Sequence, residues 1–456
     1  MTPRLMLTAA ASGSGKTLIT CGILKTLNDM GKQVTSFKCG PDYIDPMFHT
    51  KVLATKSRNL DSFFTAADTV RYLLKRNTKD SDIAVIEGVM GYYDGLAGIS
   101  IKGSAYDVAD ITKTPVVFIV NCKGMSVSLI PYIKGFLEYQ KESHIKGVIL
   151  NNISPMLYER IKEQIEKELP IQVVGYVPEL KDCILESRHL GLVMPDEITD
   201  IQEKLQTLSE ILIKTLEFDK IIKIAQTAPV LTSSYQEPQP LFEGKEKVRI
   251  GLAKDEAFCF FYEDNLQLLK QLGAELVEFS PLHDSGLPDD LDGLILNGGY
   301  PELYAQKLSA NQTMRASIAK ALNNGLVCTA ECGGFMYLHE TMEDIKGQSY
   351  AMVGYIKGQA YKTAKLGRFG YITLKEGTIF GEPITGIPAH EFHYFDSTNC
   401  GEAMIAQKPL SNRKWTCMHS STHLLAGFPH LYYYGNPKVA EAFLRKCKAQ
   451  RHRNKA

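Results

Sequence analysis

The chain has 456 residues, room for roughly two to four domains, and with 44% hydrophobic and 22% charged residues it can build more than one packed core. Lysine plus arginine number 51 and aspartate plus glutamate 51, so the net charge of zero excludes the overall basic excess of a nucleic-acid coat or a membrane-surface binder. No run of 18 apolar residues occurs, which argues against a membrane-spanning helix, and the apolar start at residues 1–8 is too short for a secretory signal.

The first half alternates strands and helices. Residues 5–9 form a short apolar strand that runs into a Gly/Ser loop. Residues 17–30 have helical apolar spacing and Gly31 stops them; residues 33–37 are a second strand. Residues 83–86, 116–120, 147–150 and 172–177 are further Val/Ile-rich runs. Continuous apolar strands between helical stretches imply βαβ units and a mostly parallel sheet, with ligands at the strands' carboxyl ends. Residues 201–224 again have helical spacing. Then QTAPVLTSSYQEPQPLFEGKEK at 226–247, with three prolines, has linker composition. The organisation expected is therefore a domain at 1–225, the linker, a second domain at 248–446 and a basic, frayed tail at 447–456. The second domain starts as α/β, with strands at 248–253, 276–279, 294–296 and 326–329 and a helix at 262–272. From 350 to 434 it becomes β-rich, and a final helix is expected at 437–446.

Ten cysteines are widely spaced and none forms a C-x-x-C pair, which disfavours zinc ribbons and dithiol redox motifs. Reduced thiols in a cytoplasm are the expectation, most of them small core hydrophobes.

The loop SGSGKT at 12–17 links the first strand to the first helix. Gly13, Ser14, Gly15 and the helix start present N–H groups to phosphates, Lys16 reaches the β/γ-phosphates, and the Thr17 hydroxyl suits Mg²⁺. The strand at 82–87 ends in Glu87, a partner for that metal. KCGPDYIDP at 38–46 and EGVMGYYDG at 87–95 place Asp42, Asp45 and Asp94 after strands. Carboxylates beside phosphates require a bound metal or a cationic neighbour, and turn capping is the alternative role for each. Lys38, Arg58 and Lys102 are candidates to meet substrate carboxylates, with surface charge the plainer reading.

AECGGFMYL at 330–338 is a strand, a sharp turn and a helical stretch: a nucleophile elbow with Cys332 at the apex and Cys328 in the core. A thiol at a helix N-terminus is expected to have a lowered pKa. The turn NGGYPE at 297–302, through Gly298 and Gly299, joins the N–H of Gly333 as an oxyanion hole. A base is needed, and His390, His393, His419, His423 and His430 are the candidates.

With HEFHY at 390–394 and HLYYYGNP at 430–437, these strings resemble, in order and over nearly the whole chain, the cobyrinate a,c-diamide synthase family of the cobalamin pathway. The resemblance implies an α/β fold: an N-terminal P-loop, dethiobiotin-synthetase-like parallel-sheet domain and a C-terminal class I glutamine amidotransferase-like α/β domain. It implies a cytoplasmic carbon–nitrogen ligase that uses ATP, Mg²⁺, glutamine and a corrinoid. Cys332 would hydrolyse glutamine through a thioester, with His430 activating the thiol. Ammonia would pass, through an internal channel, to a carboxylate activated as an acyl phosphate, first on the c and then on the a acetate. Asp42, Asp45, Glu87 and Asp94 match positions tied to ATP, metal or substrate. The chain departs from the family at Ala9-Ala10-Ala11 before the loop and at Tyr432 in HLY, and no acidic third triad member follows His430. Hydrogenobyrinate or nickel-sirohydrochlorin are alternative substrates, and a P-loop regulatory ATPase with an inactive glutaminase-like module is the reading from another class.

Overall fold

A computed structural model describes residues 2–180, 187–188, 191–192, 200–243 and 247–455; Cys183 lies outside them. The chain divides into two compact units, Met1–Tyr235 and Gln236–Ala456.

The first unit is built on seven strands: β1 (Arg4–Ala9), β2 (Val34–Cys39), β3 (Lys56–Leu60), β4 (Ile83–Glu87), β5 (Val116–Asn121), β6 (Ile145–Asn151) and β7 (Gln172–Val177). They pair in the order β3-β2-β4-β1-β5-β6-β7, all parallel. Every residue of β1, β2 and β4 is buried, as continuous apolar strands between two helical layers must be. The chain leaves β1 toward β2 on one side and later crosses to β5 on the other. The carboxyl ends of the neighbours β1 and β4 therefore border the crevice where such sheets hold ligands. The helix Lys16–Asp29 starts directly after Gly15, whose φ of 88° a side chain would resist. Helix Ile201–Thr215 packs closely on it at Gly22, where a β-carbon would lie 2.4 Å from Leu212 Cδ1. A two-strand hairpin, β8 (Ser187–Arg188) and β9 (Gly191–Leu192), follows β7.

The connecting segment is docked at both ends. Ser234 donates from its backbone N and its Oγ to Asp68 Oδ2, each at 2.9 Å, and the Tyr235 ring lies 4.7 Å from that of Tyr72. Further on, Gln271 Nε2 donates to the Pro238 carbonyl at 2.8 Å and Leu241 N to that of Leu272 at 3.0 Å.

The second unit begins with β10 (Val248–Ala253), β11 (Ala274–Phe279), β12 (Gly293–Leu296) and β13 (Val327–Glu331). The β-rich stretch supplies β14 (His339–Glu343), β15 (Ser349–Ala351), β16 (Ile356–Lys362), β17 (Phe369–Leu374), β18 (Ile387–Phe392) and β19 (Phe395–Ser397). It continues with β20 (Met404–Gln407), β21 (Lys414–Cys417), β22 (His419–Ser420), β23 (Leu424–Gly427) and β24 (His430–Leu431). The main sheet runs β11-β10-β12-β13-β23-β22, parallel except for β22. Two smaller sheets, β15-β14-β16-β19 and β21-β20-β17-β18-β24, complete the unit. The expected frayed tail at 447–456 is corrected: one helix runs Lys438–Lys455. Its apolar face buries Val439, Ala440, Phe443, Leu444 and Cys447, and Arg451 Nε lies 3.6 Å from Asp292 Oδ1. Helical packing overrides a basic composition.

Candidate active sites

The loop after β1 closes on itself. Lys16 Nζ donates to the carbonyls of Ala11 at 2.8 Å and Met90 at 2.6 Å, so its ammonium lies across the mouth of the loop. Gly13 and Gly15 have φ of 76° and 88°, which aims successive N–H groups at one point. Asn151, at the end of β6, donates from Nδ2 to the Ser14 carbonyl at 3.0 Å, a brace that sequence reading missed. Burial lowers Lys16 to about 8, with Lys38 adding to the effect and nearby carboxylates opposing it.

Glu87 ends β4 fully buried. Its Oε1 accepts from Thr17 Oγ1 at 2.6 Å and from Lys38 Nζ at 2.7 Å, and its Oε2 has no hydrogen-bond partner among the described residues. Lys38 also pairs with Asp45. Lys38 is thus a buried link between carboxylates, and Arg58 is half-buried, while Lys102 stays on the surface. KCGPDYIDP carries Lys38 and Asp45 together, but their meeting at Glu87 depends on β2 lying beside β4. Burial works against the Lys38 charge, yet Asp45 and Glu87 hold it well above the ordinary lysine range. Burial also works against Asp45, and Lys38 still holds it low; for Glu87 burial outweighs Lys38 and the carboxyl rises. His49, 3.7 Å from Glu87 Oε2, is lowered by burial to about 4 and stays neutral.

Asp42 and Asp94 both brace turns. Asp42 Oδ1 accepts from Ile44 N at 2.8 Å, and Asp94 Oδ2 from Gly91 N at 3.0 Å. Burial and the neighbouring Asp45 raise Asp42.

In the second unit β13 ends at Glu331, and Cys332 sits at the turn before the helix Gly333–Tyr337. Its φ is 47°, a strained angle for a residue with a side chain, and its N–H is held by the Gly427 carbonyl at 2.8 Å. The turn after β12 lies against it. A β-carbon on Gly298 would sit 2.6 Å from Cε1 of His430 and 3.5 Å from Cβ of Cys332. A β-carbon on Gly333 would come within 3.2 Å of Gly299 N. Cys332, His430, Gly298, Gly299 and Gly333 therefore converge. Cys328 is core.

Of the other histidines, His390 stacks on His430 at 4.8 Å and 19°, and burial, then His430, hold it well below the usual range. His339 Nε2 bonds Ser397, His393 stacks on Phe428, His419 bonds the Asn399 carbonyl, and His423 meets the Tyr355 hydroxyl. Tyr432 turns its hydroxyl to Asp264 Oδ2 at 3.2 Å. The acidic neighbour of His430 precedes the cysteine: Glu331 Oε2 is 3.7 Å from His430 Nδ1 and also accepts from Leu431 N at 3.3 Å.

The expected lowering of the thiol pKa is corrected. Cys332 is only 7% exposed, and burial pushes its thiol up, reinforced by the carboxylate of Glu302 and then those of Glu391 and Glu331. The Gly333 N–H opposes this by more than Glu391 or Glu331 alone adds, yet one short helix cannot offset desolvation. Burial raises Glu302 itself to about 7.

Among the described residues no helix is long and apolar enough to cross a membrane. Residues 5–193 match the CobQ/CobB/MinD/ParA nucleotide binding domain, and residues 249–433 the CobB/CobQ-like glutamine amidotransferase domain. The cobyrinate a,c-diamide synthase of Priestia megaterium is 36% identical, covering 98% of this chain and 97% of that protein. Those of Clostridium tetani and Clostridium acetobutylicum are each 38% identical, covering 97% and 95% of this chain and 99% and 97% of theirs. A nucleotide-binding unit and a glutamine amidotransferase unit in one polypeptide, matched end to end at this identity, place the chain in the cobyrinate a,c-diamide synthase family of glutamine-dependent ligases.

Proposed function

We propose that the chain catalyses ATP-dependent amidation of the a- and c-acetate carboxylates of cobyrinate with ammonia taken from glutamine. The observation that carries this reading is the turn at Gly298, which brings Cys332 and His430 to one point.

Cys332 is the nucleophile and His430 its base. The thiol proton passes to His430 as sulfur bonds to the glutamine amide carbon. The N–H groups of Gly298, Gly299 and Gly333 meet the developing oxyanion. Collapse expels ammonia, which takes the proton from His430. Water then hydrolyses the thioester to glutamate and restores the thiol. Free ammonia is mostly protonated at neutral pH, so release in a sheltered site preserves its nucleophilicity.

In the first unit Gly13, Ser14, Gly15, Lys16 and Thr17 hold the triphosphate of ATP. Lys16 exchanges its two carbonyl partners for phosphate oxygens. An acetate carboxylate displaces ADP from the γ-phosphorus to give an acyl phosphate. Ammonia adds to that carbonyl carbon, loses a proton, and inorganic phosphate departs. The protein's part is to position groups and neutralise charge. Asp42, Asp45 and Asp94 shape the mouth where substrate and nucleotide meet. Mg²⁺ fits the donors present: the Thr17 hydroxyl and Glu87, whose buried Oε2 lacks a partner among the described residues, are hard oxygen ligands. Bound there, it would supply positive charge for the phosphate oxygens.

The test offers cobyrinate, hydrogenobyrinate and nickel-sirohydrochlorin with ATP and glutamine to wild type and Cys332→Ala. The reading expects cobyrinate diamide from wild type, and from the variant only when ammonia replaces glutamine. Preference for nickel-sirohydrochlorin would overturn the substrate, and glutamine use by the variant would overturn the role of Cys332.

A further inference from the structure

His430 is 2% exposed, so the proton it takes from Cys332 makes it a cation out of water. A buried charge is costly unless its surroundings compensate it. Glu331 does so along one edge of the ring, 3.7 Å from Nδ1. The face of the ring has a different neighbour. His390 lies against it with ring centroids 4.8 Å apart and planes inclined by 19°, the geometry of an offset stack.

The backbone fixes this stack. His430 opens β24, the two-residue edge strand of its sheet, whose partner there is β18. His390 and His430 are direct partners in that ladder, so their side chains leave on the same face of the sheet. His390 is itself held in place: it is 5% exposed, and the Tyr262 hydroxyl meets its Nδ1 at 3.4 Å. The Tyr262 ring in turn stands edge-on to that of Tyr432 at 5.0 Å and 82°. A β-carbon on Gly298 would lie 2.6 Å from His430 Cε1, so the turn leaves the base little room to drift.

A second histidine beside the base is either another proton carrier or a surface for the first. His390 is poorly placed to carry a proton, because its Nδ1 faces Tyr262 and burial, then His430, hold it well below the usual histidine range. A neutral aromatic ring presents an electron-rich face, and a cation gains most from such a face where water is excluded. We propose that His390 is a positioning residue for the thiol chemistry: its neutral ring holds the imidazole of His430 in place and stabilises the imidazolium that forms as Cys332 attacks the amide. The inference rests on reading Cys332 and His430 as nucleophile and base. The proton moves from the thiol to His430 and on to the departing ammonia, and His390 keeps its own proton throughout. Since His390 acts through His430 rather than on glutamine, its contribution belongs to kcat.

The experiment compares ammonia release from glutamine by wild type, His390→Phe and His390→Leu. Phenylalanine keeps a neutral ring and removes both nitrogens; leucine fills the space without a ring. The kcat of His390→Phe is expected within about threefold of wild type, and that of His390→Leu lower by at least ~10-fold. The KM for glutamine should stay within about threefold in both, which also shows that the donor site is folded. Recovery by phenylalanine separates the ring face from simple packing and from proton transfer at His390. Equal losses in the two variants, full activity of His390→Leu, or a loss carried by KM would overturn the proposal. Should His390→Leu fail to fold, His390→Met, unbranched and more adaptable, takes its place with the same expectations. A wild-type chain that releases no ammonia from glutamine would overturn the reading of Cys332 and His430, whereas a hydrolysing wild type matched by the ringless variant overturns His390 alone.

Discussion

Nδ1 of His430 stands 3.7 Å from Oε2 of Glu331, the residue that immediately precedes Cys332. The strand that delivers the thiol to its turn thus also delivers a carboxylate to the imidazole. An acid placed there orients the ring and stabilises the imidazolium that forms when the thiol gives up its proton. Glu331→Gln keeps the shape and removes the charge. We expect glutamine-dependent kcat to fall at least ~10-fold while ammonia-dependent amidation stays within about twofold. An unchanged glutamine rate would remove Glu331 from this role.

Gly298 gives a steric prediction. The β-carbon of Gly298→Ala would fall 2.6 Å from His430 Cε1, closer than side-chain carbons pack. The ring must shift, and small displacements of a reacting group cost on the order of 100-fold. Glutaminase activity should drop by about that factor, with nucleotide binding unaffected. Both are read by ammonia release and titration calorimetry.

The thiol carries a pH prediction. Burial, Glu302, Glu391 and Glu331 raise Cys332, so the ligand-free chain holds it protonated at neutral pH. A raised pKa means the reactive thiolate fraction grows with each pH unit above neutrality. Alkylation of Cys332 by iodoacetamide, taken as the difference from Cys332→Ser, should accelerate about tenfold per unit from pH 6.5 to 8.5. A plateau below pH 7 would indicate a lowered pKa instead.

Lys38 tests the buried network of the first unit. It bonds Glu87 at 2.7 Å and pairs with Asp45, with both carboxylates out of water. Lys38→Met leaves two buried carboxylates without their cation, which typically costs about 3–5 kcal/mol. Urea unfolding followed by circular dichroism should show that loss in the first unit. A change below about 1 kcal/mol would mean that the carboxylates find other compensation.

These predictions divide along the line between what the sequence declares and what only folding reveals. Six of the first unit's parallel strands, the loop at 12–17 and the elbow at Cys332 are local patterns, and each is where its pattern indicates; β3 (Lys56–Leu60), which is polar, was not expected. Glu331 was hidden because triad acids are sought after the histidine, while here the partner comes from a strand 99 residues earlier. Lys38 was hidden because surface charge is the ordinary fate of a lysine, and only the pairing of β2 with β4 carries it to Glu87. The raised thiol has the same origin. The turn signals a lowered pKa, but the burial and carboxylates that reverse it come from distant segments. The tail at 447–456 was misread because its composition is basic, whereas the burial of Phe443, Leu444 and Cys447 extends the helix.

The account depends on an acid being activated by phosphorylation before nitrogen reaches it. Cobyrinate labelled with ¹⁸O in its acetate carboxylates tests this most directly, by mass spectrometry of the inorganic phosphate released during turnover with ATP and glutamine. The account predicts one labelled oxygen in phosphate for each amide formed; amide formation with unlabelled phosphate would contradict it.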